Sequence, residues 1–265
     1  MSQDPRTVRA ILNTGADDAP AIGAPDRVTL DYAGLRSHAD RTVERLNELG
    51  LGRGDRVAIV LQNGPEMASA FISLACGVTT APLNPGYRRK EYDFYIEDLG
   101  AKALVVEEDS VSEAIDAARA LGAMIIRLHV PDGAPAGIFD LEPEGEPDGS
   151  PPHPGPAEAD DVALVLHTSG TTSRPKIVPL LHRNICASAA NIRGTLRLEP
   201  GDTCLNVMPL FHIHGLMAPV LSSLSTGSTV ICTPGFNALK FYGWMDAVRP
   251  SWYSAVPTMH QAILA

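Results

Sequence analysis

Between Asp161 and Leu180 the sequence runs DVALVLHTSGTTSRPKIVPL, an apolar stretch opening into small hydroxylated residues. Thr168, Ser169, Thr171 and Thr172 place four hydroxyls within five residues, and Gly170 among them leaves backbone N–H groups accessible. Arg174 and Lys176 flank Pro175 and add positive charge. Hydroxyl donors, open backbone amides and nearby cations are the inventory for cradling a polyphosphate. This is not the G-x-x-x-x-G-K-[ST] loop, because no two glycines have that spacing and the lysine follows the hydroxyls. The same composition also suits a solvated turn. A second segment, Pro209-Leu210-Phe211-His212-Ile213-His214-Gly215, carries two imidazoles two residues apart. A metal there needs a third and a fourth ligand, and only Cys204 lies near in sequence, so no metal site is expected.

These residues must be held by elements whose periodicity is visible. Val28–Asp31 reads as a short strand, and Tyr32 to Leu49 spaces Leu35, Ala39, Val43, Leu46 and Leu49 at helical intervals. Arg56–Leu61 is a β-branched run suited to a buried strand, and Pro65 opens a helix over Glu66–Cys76. Strand Val78–Leu83, helix Lys90–Leu99, strand Ala103–Val106, helix Val111–Leu121 and strand Met124–Arg127 continue the alternation. After the phosphate-type loop come helix His182–Leu196, strand Thr203–Val207, helix His214–Leu224 and strand Ser228–Ile231. A helix over Leu239–Val248, a strand at Trp252–Ala255 and a helix from about Thr258 follow. Such alternation predicts an α/β fold of layered, mostly parallel sheets with crossover helices. The expected division is a first α/β unit over 1–130, a Pro/Gly-rich linker or surface excursion over 131–160, and a second unit over 161–265.

Composition narrows the class further. The 265 residues are 45% hydrophobic, which supports a packed core and excludes overall disorder. A net charge of −10 argues against nucleic acid or an anionic membrane surface as partner. Met67–Tyr87 and Asn206–Leu239 lack charged residues, but prolines and glycines interrupt both, so neither reads as a membrane span. Cys76, Cys186, Cys204 and Cys232 are dispersed without a C-x-x-C pair and read as free thiols of a reducing, cytoplasmic compartment. The N-terminus has no secretory signal pattern.

Thr168-Ser169-Gly170-Thr171-Thr172-x-x-Pro175-Lys176 resembles the signature loop of the adenylate-forming superfamily: acyl-CoA synthetases, amino-acid-adenylating domains and beetle luciferases. Other segments resemble that family in order and spacing: Leu30-x-Tyr32-x-x-Leu35, Pro82-Leu83-Asn84-Pro85-x-Tyr87 with Glu91, Pro209–Gly215, and Ala255-Val256-Pro257-Thr258. His167 before the loop and Ser173-Arg174 within it are similar to the oxalate–CoA ligase group.

The resemblance implies an ATP-dependent carboxylate–CoA ligase with Mg²⁺, ATP, coenzyme A and a small carboxylic acid as its partners. A short dicarboxylate such as oxalate leads as substrate, with a fatty or aromatic acid next. Thr168, Ser169, Gly170, Thr171 and Thr172 would wrap the phosphates, and Lys176 would add charge. His212 would border the carboxylate, whereas His214 reads as a packed histidine. Arg174 is expected to face solvent. Two departures matter. Ile177 stands where most family members have glycine, which strains a loop that needs positive φ but is harmless in a strand. The family's adenine, magnesium and ribose motifs and its C-terminal lysine domain do not occur within the 265 residues, so a front portion, inactive alone, is expected. A non-catalytic nucleotide-binding or interaction module and a luciferase-type oxygenase are the alternatives.

Overall fold

The structure, a computed structural model, describes residues 4–147, 149–168 and 175–265. The chain begins with helix α1 (Val8–Ile11), strands β1 (Pro20–Gly23) and β2 (Leu30–Asp31) and helix α2 (Tyr32–Glu48). An alternating run follows: β3 (Arg56–Val60), α3 (Pro65–Ala75), β4 (Thr79–Pro82), α4 (Arg89–Leu99), β5 (Ala103–Glu107), α5 (Glu113–Ala120) and β6 (Met124–His129). Strand β7 (Asp140–Pro143) and the antiparallel pair β8 (Val162–Thr168) and β9 (Lys176–Leu181) lead into α6 (His182–Leu196) and β10 (Thr203–Asn206). Then come α7 (Ile213–Gly215), a π-helical stretch at Leu216–Leu221, α8 (Ser222–Leu224), β11 (Thr229–Cys232), α9 (Ala238–Val248), β12 (Trp252–Ser254) and α10 (Pro257–Leu264). The alternation expected from periodicity is present, with ends moved by one or two residues. Helix α1 and strands β1, β7 and β9 were not expected. All are short, and each strand holds a proline or charged residues that hide its pattern.

Two sheets form, of seven strands (β7-β6-β5-β3-β4-β8-β9) and five strands (β12-β10-β11-β1-β2). Most pairings are parallel, and the antiparallel exceptions lie toward the sheet edges. The sheets do not divide the chain at 131–160. Strands β1 and β2 join the five-stranded sheet, β8 and β9 complete the seven-stranded one, and β7 within 131–160 is an edge strand. The physical reason is that neither sheet closes from consecutive strands: Thr80 of β4 needs β8 as its neighbour, and Ile22 of β1 needs β11.

Side-chain alternation sorts the core into layers. Val57, Ile59, Ala103 and Val105 face inward, while Ala58, Val60, Leu104 and Val106 pack under α4 and α5 on the outer face. In the second sheet Cys204, Val230 and Cys232 face inward, and Leu205 and Ile231 face the outer helices α9 and α10. Helix α3 lies between, touching β4 of one sheet and β1 and β11 of the other. Every α3 residue except Glu66 is buried, which explains why its sequence is apolar on all sides. Tyr32 is fully buried, and its hydroxyl donates to Ser228 O at 2.7 Å, tying α2 to the five-stranded sheet.

Ile177 sits within β9 opposite His167 and packs beneath the outer helices. A β-branched side chain suits that strand position. Pro179 is tolerated in β9 because this strand is a sheet edge. All four cysteines are free and buried. Among the described residues no helix is long and apolar enough to cross a membrane.

Two tests follow from this packing. Phe71, fully buried in α3, touches the shared core of both sheets, so Phe71→Ala is expected to cost about 3–5 kcal/mol in urea unfolding. His182 is fully buried, its Nδ1 accepts the Val8 N–H at 3.2 Å, and burial pushes its pKa down to about 4. The unfolded chain therefore binds a proton near pH 6.5 that the folded chain refuses. His182 contributes its full stability above that pH and loses up to about 1.4 kcal/mol per pH unit as pH falls toward 4. Stability measured from pH 7 to 4 should fall less steeply in His182→Gln, and equal slopes would contradict this assignment.

Candidate active-site cleft

At the C-terminal ends of β4 and β8 the chain leaves a cleft of about 240 Å³. Its walls come from Asn84 and Tyr87 after β4, Tyr95 of α4, His167 and Thr168 of β8, and Phe211 and His212 from the connection after β10. Both sheets thus contribute. The register pairs Thr168 with Lys176 across β8 and β9, and Thr168 Oγ1 donates to Lys176 O at 3.5 Å. The ends of the phosphate-type loop are therefore fixed side by side. Both side chains are exposed, and no carboxylate pairs with the Lys176 ammonium among the described residues. Ser169, Gly170, Thr171 and Thr172, with Ser173 and Arg174, lie outside the described residues.

The base of that loop rests on aromatic and polar contacts. His167 Nε2 lies 3.0 Å from Asp98 Oδ2, and its side chain is only 6% exposed. Tyr95 meets the His167 ring edge-on at 4.6 Å and stacks on Tyr87 at 4.9 Å. Burial, then a hydrogen bond with Tyr95, raises the Tyr87 phenol above its usual pKa, so it stays protonated and neutral at physiological pH. Tyr92, buried on the adjoining face of α4, donates its hydroxyl to Asn84 O at 3.0 Å and pins the turn that carries Tyr87. Helix α4 starts where Glu91 accepts the Arg88 N–H at 2.9 Å, and it ends at Gly100, whose φ of 56° is left-handed.

His212 reaches the cleft from the other sheet. Its ring lies 4.4 Å from that of Phe211, and burial lowers its pKa below the usual 6.5, which favours neutral imidazole at pH 7. The segment carrying it is held from across the molecule. Asn63, after β3, donates through Nδ2 to Met208 O at 3.3 Å and Thr233 O at 3.2 Å, and accepts Leu210 N–H at 2.8 Å. Gly215 closes the segment, since a Cβ there would lie 2.3 Å from Pro209 O. The π-helical stretch at Leu216–Leu221 begins directly afterwards and contains Pro219.

The two histidines of the H-x-H pair separate. His212 lines the cleft, whereas His214 Nε2 lies 2.7 Å from Ser254 Oγ of β12. Among the described residues no group of three or more His, Cys, Asp or Glu side chains is placed to hold a metal ion. Of the sequence-derived site, the structure thus places Thr168 and His212 on one cleft and Lys176 beside Thr168 across β8 and β9. Sequence reasoning missed Asp98, Tyr95 and Asn63. Tyr95 and Asp98 stand three apart, a spacing that shares one helix face and was available as a signal. Nothing local marks Asn63, whose partners lie more than a hundred residues away in the chain.

Comparisons with known proteins bear on this geometry. The family model described as AMP-binding enzyme matches residues 10–265. The chain is 35% identical to the oxalate–CoA ligase of Arabidopsis thaliana over 98% of its own length and 52% of that protein. It is 38% identical to the oxalate–CoA ligase of Saccharomyces cerevisiae, covering 80% of the chain and 43% of that protein. The ATP-bound structure of MatB from Rhodopseudomonas palustris superposes with a TM-score of 0.80 at 26% identity, covering 99% of this chain and 51% of that one. The chain spans about half the length of the curated relatives it matches.

The close approach at Gly215 is directly testable. Gly215→Ala must push the Phe211–His212 segment off Pro209, with an expected loss of about 1–3 kcal/mol in urea unfolding. A displaced His212 imidazole resonance should accompany it.

Proposed function

We infer, for a chain that belongs to the AMP-binding enzyme family, that it is the N-terminal part of an ATP-dependent carboxylate–CoA ligase. The observation that carries this reading is a cleft lined by both Thr168 and His212, with Lys176 paired opposite Thr168 on the neighbouring strand. Fixed donors and a cation belong where a polyphosphate leaving group develops charge. In the reaction proposed, the substrate carboxylate attacks the α-phosphorus of ATP and releases pyrophosphate, leaving an acyl-adenylate. The thiol of coenzyme A then displaces AMP.

Within this reading Thr168, Ser169, Gly170, Thr171 and Thr172 hold the β- and γ-phosphates, and Lys176 offsets their charge. His212, neutral at pH 7, borders the carboxylate and shapes the acyl side of the cleft beside Phe211. Tyr87 and Tyr95 supply an aromatic wall, while His167 and Asp98 set the base of the loop. Magnesium enters with the nucleotide. Among the described residues no cluster of side chains is placed to hold a free ion. A short dicarboxylate such as oxalate is the proposed substrate, supported by the names of the plant and yeast relatives. The remaining half of the site is proposed to come from a C-terminal portion comparable to that of the longer relatives.

The test is pyrophosphate release by the polypeptide extended through that portion, assayed against oxalate, malonate, a fatty acid and an aromatic acid. Lys176→Ala is expected to lower kcat/KM for ATP about a hundredfold. His212→Ala should raise KM for the carboxylate more than KM for ATP. No carboxylate-dependent pyrophosphate from the extended, folded protein would overturn the ligase reading and favour a binding module.

A further inference from the structure

A second cleft, of about 330 Å³, lies between α2 and the edge strand β7. It is remote from the first. Strand β7 ends the seven-stranded sheet on the side opposite β8 and β9, and five inter-strand steps of about 4.8 Å put roughly 24 Å between β7 and β8. One face of α2 supplies His38, Arg41 and Arg45, spaced by three and then four residues. The other wall is Phe139, Asp140 and Glu142.

Three observations point to a ligand. The first is His38, only 3% exposed, whose ring lines the cleft and meets Phe139 edge-on at 4.3 Å. Its Nε2 is itself buried and has no hydrogen-bond partner among the described residues, so the ring meets the cleft as an aromatic surface and not as an exposed donor. Burial lowers this histidine's pKa to about 4, with Arg41 and Asp140 as the charges it feels, so the ring is neutral at pH 7. The second is Arg45, held in place by Nε donating to Leu141 O at 3.0 Å and Nη1 to Glu48 at 3.0 Å. Its Nη2 makes no hydrogen bond among the described residues. The third is Arg41, whose hydrogen bond runs to Ser37 of its own helix at 2.7 Å, with no carboxylate paired to it among the described residues.

We propose that this cleft binds a small monocarboxylate, its carboxylate on Arg41 and Arg45 and its apolar body against Phe139 and the His38 ring. A planar carboxylate matches the guanidinium fork. Asp140 and Glu142 on the opposite wall repel a dianion such as phosphate more strongly than a monoanion, which favours single charge. The site is separate from the ligase reading and stands or falls without it.

The experiment uses the chain with isotope-labelled histidine and follows the His38 imidazole by NMR, its resonance assigned by loss in His38→Asn. Benzoate is the probe, with benzyl alcohol as its neutral counterpart and inorganic phosphate as the dianion. The expected result is a saturable benzoate-dependent shift of the His38 resonance, weakened about tenfold or more in Arg41→Ala. That shift should persist in His212→Ala, which separates this cleft from the first. Arg41 is exposed, so Arg41→Ala should leave the melting temperature unchanged. A His38 resonance indifferent to benzoate, an unweakened Arg41→Ala titration, or equal responses to benzyl alcohol or phosphate would each overturn the proposal.

Discussion

Burial of helix α3 on all sides is the constraint from which the arrangement of the cleft follows. An amphipathic helix can be satisfied by one sheet, but α3 exposes apolar residues around its whole circumference and needs a surface on each side. The seven-stranded and five-stranded sheets meet that need from opposite directions, through β4 on one side and β1 and β11 on the other. Burial of Met67, Phe71, Ile72 and Leu74 removes enough apolar surface to hold the two sheets as one body. Their loops are thereby forced together, and the cleft forms where they meet.

Polar contacts then refine what packing has brought near. Asn63 stands just before α3 and spends both amide donors and its carbonyl on backbone groups of the other sheet's loops. A half-buried amide so fully engaged has few alternative positions, because losing any contact leaves a backbone group unpaired. The consequence reaches His212, which sits on the segment Asn63 grips. On the opposite wall, Asp98 and Tyr95 orient His167 at the start of the phosphate-type loop. The two walls are therefore positioned by independent sets of contacts that share α3 as their support.

Sheet membership, by contrast, was hidden from the sequence. Residues 131–160 read as a connection because Pro, Gly and acidic residues dominate, yet Leu141 pairs opposite Leu128 and extends the sheet by a strand. A strand with a single buried residue gives no periodic signal. Ile177 shows the same limit in a site residue. Its chemistry allowed either a strained loop or a relaxed strand, and only its register opposite His167 decides for the strand.

Most of the order of helices and strands, and the Phe211-His212 segment, were legible in the sequence alone, because periodicity and local composition encode them within short windows. The family was legible for the same reason, through ordered local motifs. Tertiary structure alone decided that β1 belongs beside β11, that His212 faces the cleft while His214 turns to Ser254, and that Asp98 supports His167. Each is a contact between residues distant in the chain, settled by which surfaces α3 leaves available and by which buried polar groups must find partners. No local pattern carries that information, since it exists only once the two sheets have closed over the helix between them.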